Sequence, residues 1–206
     1  MTNKFLCLMP IHGELLPPEG IGGASSDRVF QMPDYRQPER REHKDEATAL
    51  QLDPPRFENG KTMLVAGLRG HFTTATWAGI PALWQRLATF GNIPGKVGLA
   101  YFGLCFIRPE GIDYLCGVEV SGSAEQPEAF NHVTIPAQTY AVFVHREHVS
   151  KLRNTMELIE QYWFPRSGYK IARPGRGAPD FFERYGPGFD PRSGMGDIEV
   201  WIPIKP

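Results

Sequence analysis

The chain carries little net charge, little cysteine and no long apolar run. Its 22 Lys and Arg against 23 Asp and Glu leave a formal charge of −1, so no global basic field draws it to nucleic acid. The apolar stretch from Phe5 to Ile11 is short, holds a proline and runs into His12 and Glu14, which makes a poor signal peptide. No run reaches the length of a membrane span. Cys7, Cys105 and Cys116 are three in number and lack metal-ligand spacing; a reduced, cytoplasmic compartment is expected, with no metal and no cofactor. A Gly-x-Ser-x-Gly elbow, a phosphate-cradling glycine loop and a His-x-x-x-His pair are missing too. His145 and His148 span a strand-to-helix junction, where a surface or capping role is expected.

Aromatic residues are plentiful: 13 Phe, 7 Tyr and 4 Trp in 206 residues. Residues 1–55 read as an irregular leader. Pro17-Pro18 and the glycines at 20, 22 and 23 break periodicity, and Asp34–Glu46 is a mixed-charge, solvated run with a possible helix from about Glu39 to Leu52. Residues 56–206 read as one ligand-binding domain. Thr62–Leu68 is expected as a buried strand. A helix should follow, capped from Thr73, Thr74 or Thr76, through Trp84 to Phe90, with Pro81 in its first turn. Val97–Ile107 and Tyr114–Ser121 should form a hairpin through Pro109 and Gly111. His132–His145 reads as a strand, and Ser150–Phe164 as an amphipathic helix with Thr155, Glu157 and Glu160 outward, ended by Pro165. Asp180–Tyr185 and Gly196–Ile204 follow.

Strand, helix, strand, strand thus occurs twice. Trp84 and Trp163 lie 79 positions apart, and Gly117–Val120 (GVEV) matches Asp197–Val200 (DIEV) 80 apart. A steady offset across a helix and a strand indicates duplication. The expected fold is α+β: a duplicated β-α-β-β, pseudo-two-fold domain, with an antiparallel sheet, two main helices and a hydrophobic ligand cleft. In the last strand Ile198, Val200, Ile202 and Ile204 fall on one face; Glu199 and Trp201, roughly 7 Å apart, fall on the other. Glu119 and Glu199 are expected at related places. Two hairpin registers stay open: pairing Ile107 with Ile112 puts Tyr101 and Tyr114 on one face and Phe102 with Glu119 on the other, whereas a one-residue slip sets Tyr101 opposite Glu119. Rings beside a carboxylate suit delocalised cations.

Residues 61–206 resemble the gyrase-inhibitor-like (GyrI-like) small-molecule-binding domain, also the effector-binding module of AraC- and MerR-type multidrug regulators. Val97–Gly103, Gly117–Val120, Ile135–Val144, Leu152–Thr155 ahead of Trp163-Phe164-Pro165, Ser167-Gly168-Tyr169, Asp180–Tyr185 and Glu199–Ile204 carry the match. The resemblance implies a carboxylate for cationic ligands at Glu199, and walls from Tyr101, Tyr114, Trp163, Tyr169, Tyr185 and Trp201; Glu119, Phe102 and Phe182 complete the candidate set. A stand-alone binder of amphipathic aromatic or cationic molecules is expected, with no nucleic acid or membrane as partner. Alternatives are a hydrolase that opens strained, cyclopropane-type rings of DNA-alkylating natural products with Glu119 and Glu199, and a module that meets a protein partner, gyrase or a separate DNA-binding regulator.

Overall fold

The computed structural model describes residues 52–122, 125–173 and 175–206. Cys7, the charged run 34–46 and the leader helix lie outside them. Nine strands are described: β1 (Arg56–Gly60), β2 (Met63–Phe72), β3 (Tyr101–Arg108), β4 (Gly111–Glu119), β5 (Asn131–Ile135), β6 (Gln138–His145), β7 (Lys170–Ile171), β8 (Phe181–Tyr185) and β9 (Ile198–Lys205). Helix α1 (Ile80–Ala88) lies between β2 and β3. Helix α2 (Leu152–Leu158) continues through a π turn, Ile159–Trp163, into α3 (Phe164–Ser167), ahead of β7. No helix among the described residues is long and apolar enough to cross a membrane.

The fold is α+β, and its strand order shows the duplication. The antiparallel sheet runs β1-β6-β9-β8-β3-β4-β2-β5, with β7 alongside β9. The order is symmetric about β3·β8: β4 and β9 flank that pair, then β2 and β6, then β5 and β1. The registers repeat as well. Glu119 faces Val65 across β4·β2, and Glu199 faces Val144 across β9·β6. The two glutamates occupy corresponding places, as the 80-residue offset requires.

The sheet is curled and buried on both faces. One face carries the two helices: Ile80 and Leu87 of α1, and Leu152, Met156 and Ile159, pack with Ala66, Leu68, Phe143, Ile198, Val200 and Ile202. The other has no helix in its cluster among the described residues; Val65, Phe102, Leu104, Leu115, Tyr140 and Phe182 pack there on one another. Phe181 and Phe182, adjacent on β8, are each 1% exposed on opposite faces. Period-2 alternation at a central strand therefore feeds two cores. Gly67 pairs with Gly117, and a Cβ on Gly67 would come within 2.0 Å of the Cys116 carbonyl oxygen. The missing side chains let β2 and β4 close on each other there.

Several local expectations change. The hairpin adopts the first register, Ile107 against Ile112, which excludes the slip. Cys105 faces Tyr114, and Cys105 and Cys116 are buried free thiols. His132–His145 is two strands, because Pro136 cannot donate to a ladder; β5 pairs with β2, and β6 with β1 and β9. Pro165 does not end the second helix. It occupies the first turn of α3, and the helix stops at Gly168, in the left-handed region with φ 75°. The π turn re-spaces the carbonyls just ahead of the proline, which has no N–H to give. Thr155 faces inward and shares a 2.8 Å hydrogen bond with buried His145. Glu160 is half-buried, and burial with the nearby Glu157 charge pushes it up to about 7.

Candidate functional site

Two carboxylates are buried in the sheet, on opposite faces and in opposite electrostatic states. Glu199 lies on the helix-free face of β9 beside Trp201, as the alternation places it. Arg56 Nη2 approaches its Oε1 at 2.8 Å, and Arg184 Nη1 approaches Oε2 at 3.3 Å. Trp201 Nε1 donates to Oε2 at 2.9 Å, and the Arg56 guanidinium lies 5.6 Å from the Trp201 ring centre. Both cations come from register: Arg56 shares a face with Val142, which pairs with Trp201, and Arg184 pairs with Glu199 directly. Phe182 stacks on Trp201 at 5.4 Å, and Phe102 meets Phe182 edge-on at 6.1 Å. Glu199 thus sits among rings, with its charge met by two guanidinium groups.

Glu183, on β8, faces the helices. It is 4% exposed. Tyr114 donates its hydroxyl to Glu183 Oε2 at 2.7 Å, and Tyr185 donates to the same oxygen at 2.8 Å. Trp84, from α1, donates its indole N–H to the Tyr114 oxygen at 3.1 Å. Its ring meets Tyr114 edge-on at 6.4 Å and Tyr185 at 5.2 Å. Gly103 makes room for the carboxylate: a Cβ there would come within 2.1 Å of the Tyr114 hydroxyl and 2.6 Å of Glu183 Oε2. Among the described residues no Lys, Arg or His forms an ion pair with Glu183. Burial pushes its pKa up to about 7, against the lowering effect of the two tyrosine hydroxyls. Burial, the Glu183 charge and its hydrogen bonds raise both tyrosines well above the ordinary phenol range.

The remaining candidates divide between the faces. Phe102, Phe182 and Trp201 gather with Glu199. Tyr114 and Tyr185 gather with Glu183. Tyr101 pairs with Tyr185 and is 39% exposed, with Lys96 Nζ 3.8 Å from its ring centre. Trp163 and Tyr169 lie on the helix side, with parallel rings 6.1 Å apart and Phe57 5.1 Å from Tyr169. Glu119 shares the helix-free face with Glu199, but β8 and β3 separate β9 from β4. Three strand spacings are roughly 14 Å along the sheet. The set therefore does not form one site: Glu199 and Glu183 gather separate groups, Trp163 and Tyr169 pair beside Phe57, and Glu119 lies apart from Glu199. Glu183 is the group that the sequence reading passed over, although its neighbours Phe182 and Tyr185 are in the candidate set.

Comparison with known proteins places the fold. Over 137 residues the chain is 27% identical to the transcriptional regulator BrlR of Pseudomonas aeruginosa, covering 65% of this chain and 49% of the regulator. The chain therefore spans about half the length of that relative. Among solved structures, SAV2435 bound to tetraphenylphosphonium superposes with a TM-score of 0.57 at 23% identity, over 74% of this chain and 94% of that one. A putative transcription regulation protein from Staphylococcus aureus MU50 gives 0.54 at 20%, over 74% and 98%. EcmrR, in complex with DNA, gives 0.56 at 18%, over 79% and 61%. The model of the GyrI-like small-molecule-binding domain matches residues 53–205, and the chain belongs to that family.

Proposed function

We propose that this chain binds amphipathic aromatic cations on the helix-covered face, with Glu183 as the counter-charge and Tyr114, Tyr185 and Trp84 as the surrounding rings, all within residues 56–206. One observation carries the reading. Glu183 is a deeply buried carboxylate held by two phenol hydroxyls, with no cationic partner among the described residues. Burying a lone carboxylate costs several kcal/mol, and a ligand's positive charge would offset that cost. Glu199 supports the reading less well, because Arg56 and Arg184 already meet its charge. The relationship to regulators fits a domain whose bound molecule is an effector. SAV2435 bound to tetraphenylphosphonium supplies a suitable probe. Trp84 lies against both tyrosine rings, so a guest reaching Glu183 displaces it.

The test is a tryptophan-fluorescence titration with tetraphenylphosphonium and with neutral triphenylphosphine oxide. Glu183→Gln should weaken the cation roughly 10- to 100-fold, the range for losing a desolvated charge contact, and leave the neutral compound unchanged. Equal losses for both compounds, or no binding of the cation by the wild type, would refute the assignment.

The same geometry supports a second reading as a hydrolase of strained electrophilic rings. A glutamate that changes charge near neutral pH, beside two O–H donors, provides a base for the water that attacks a ring carbon and a donor for the conjugated carbonyl oxygen that takes up the electron pair, and then a proton, as the ring C–C bond breaks. Glu183, Tyr114 and Tyr185 bring these roles together, as Glu119 and Glu199 do not. Incubation with a cyclopropane-bearing alkylator and mass spectrometry for an added water tests it; unchanged compound counts against it.

A further inference from the structure

A third place in the molecule has the chemistry of a binding site and belongs to neither glutamate. A surface hollow of about 390 Å³ opens beside the end of β3, lined among others by Phe106, Ile107, Arg108, Arg173, Arg176 and Asp180. Arg173 and Arg176 reach it from the Gly/Pro-rich stretch before β8. Gly175 and Gly177, in the left-handed region at φ 95° and 91°, flank Arg176 on both sides.

The charges around this hollow do not balance. Asp180 accepts the Ile107 backbone N–H at 2.8 Å. Arg108 donates Nε to Asp113 at 2.8 Å and Nη1 to the Ile107 carbonyl at 3.3 Å, and its Nη2 makes neither bond. Asp113 also takes Arg69 at 2.9 Å and His71 at 2.9 Å. Partial burial raises the Asp113 pKa, but the hydrogen bonds from His71, Arg108 and Arg69 outweigh it and hold that pKa below its ordinary value. Arg173 and Arg176 have no acidic partner among the described residues. The lining thus sets three arginines, Arg108, Arg173 and Arg176, against one aspartate, Asp180; beside it Asp113 is shared by Arg69 and Arg108, with Glu110 in the adjoining turn as a further acid. Converging guanidinium forks fit multivalent oxyanions, since each presents paired N–H donors in one plane. One carboxylate would satisfy one arginine; a phosphate or diphosphate presents enough oxygens for three.

We propose that this hollow is an anion site that takes the phosphate group of a small ligand, through Arg108, Arg173 and Arg176. The site lies apart from Glu183 and stands whether or not the cation reading holds. Calorimetric titration of the full chain at low ionic strength, with inorganic pyrophosphate in one arm and ATP in the other, tests it. Saturable binding is expected in the pyrophosphate arm. Tighter ATP binding would add a contact to the base, and equal affinities would confine recognition to phosphate; both support the site. The double variant Arg173→Ala, Arg176→Ala should lose roughly 10-fold or more in pyrophosphate affinity, with unchanged melting and unchanged tetraphenylphosphonium binding. Lys151→Ala, which removes an exposed charge elsewhere, should change neither affinity. No saturable heat from pyrophosphate, or a double variant that binds it like wild type, would overturn the proposal.

Discussion

Among the described residues the two faces of the sheet each hold one nearly buried glutamate amid aromatic rings, and only one of those glutamates is left without a cation. On the helix-free face, Glu199 has Arg56 from one neighbouring strand register and Arg184 from another. On the helix-covered face, Glu183 has hydroxyl groups alone among the described residues. Residue type, burial and ring content are alike; charge compensation differs. A carboxylate among rings is therefore insufficient to mark a cation site. The deciding question is what already meets its charge in the folded chain, and the strand register answers it.

The largest expected effect sharpens this contrast through pH. Burial pushes the Glu183 pKa up to about 7, above the ordinary glutamate value of about 4.3. The folded state therefore holds its proton more tightly than the unfolded state does. This favours folding fully at low pH, and stability declines as pH rises from about 4.5 through 7. Glu183→Gln removes the dependence. At pH 8 the variant should be the more stable protein, by on the order of 3 kcal/mol, and at pH 4 the two should converge. Chemical denaturation at both pH values checks it, and a Gln variant less stable at pH 8 would break the comparison.

Glu199→Ala should act oppositely. It strands Arg56 and Arg184 without a counter-ion, and both are partly solvated, so the cost should be about 1–2 kcal/mol rather than the larger figure for a fully buried pair. Cation affinity should stay within about twofold, since no new charge pattern reaches the other face. Denaturation and the fluorescence titration together read this result. A large loss of cation binding would transfer the site to Glu199.

Tyr185→Phe should have a smaller effect. Removing one of the two hydroxyls that stabilise the carboxylate costs about 1 kcal/mol at pH 8 and raises the Glu183 pKa further. The midpoint of cation binding against pH should move upward. An unchanged midpoint would show that the hydroxyl does not stabilise the charged form.

Much of this frame was legible in the residues. GVEV and DIEV at an offset of 80 located two corresponding strands, and their glutamates do face corresponding valines. The family, the α+β class and the ring-rich character followed from the same segments. Three features were not legible, each for a physical reason. Strand β1, RFENG, has no apolar alternation, because one of its faces supplies Arg56 to an ion pair and Phe57 is half exposed. The π turn and Pro165 compensate for each other, which propensity alone does not show. Glu183 was hidden by Arg184: Glu-Arg in DFFERY looks like a solvated pair, whereas at a central strand period 2 sends the two side chains to opposite faces. The available signal was the column Phe181, Glu183, Tyr185, a carboxylate between two buried rings.

The most direct measurement counts protons. With Glu183 mostly protonated at pH 6, a cation that replaces its proton must expel it. Tetraphenylphosphonium binding to the wild type, measured calorimetrically in two buffers of different ionisation enthalpy, should release close to one proton per cation at pH 6 and few at pH 8. Glu183→Gln should release none at either. Cation binding at pH 6 with no proton release would contradict Glu183 as the counter-charge.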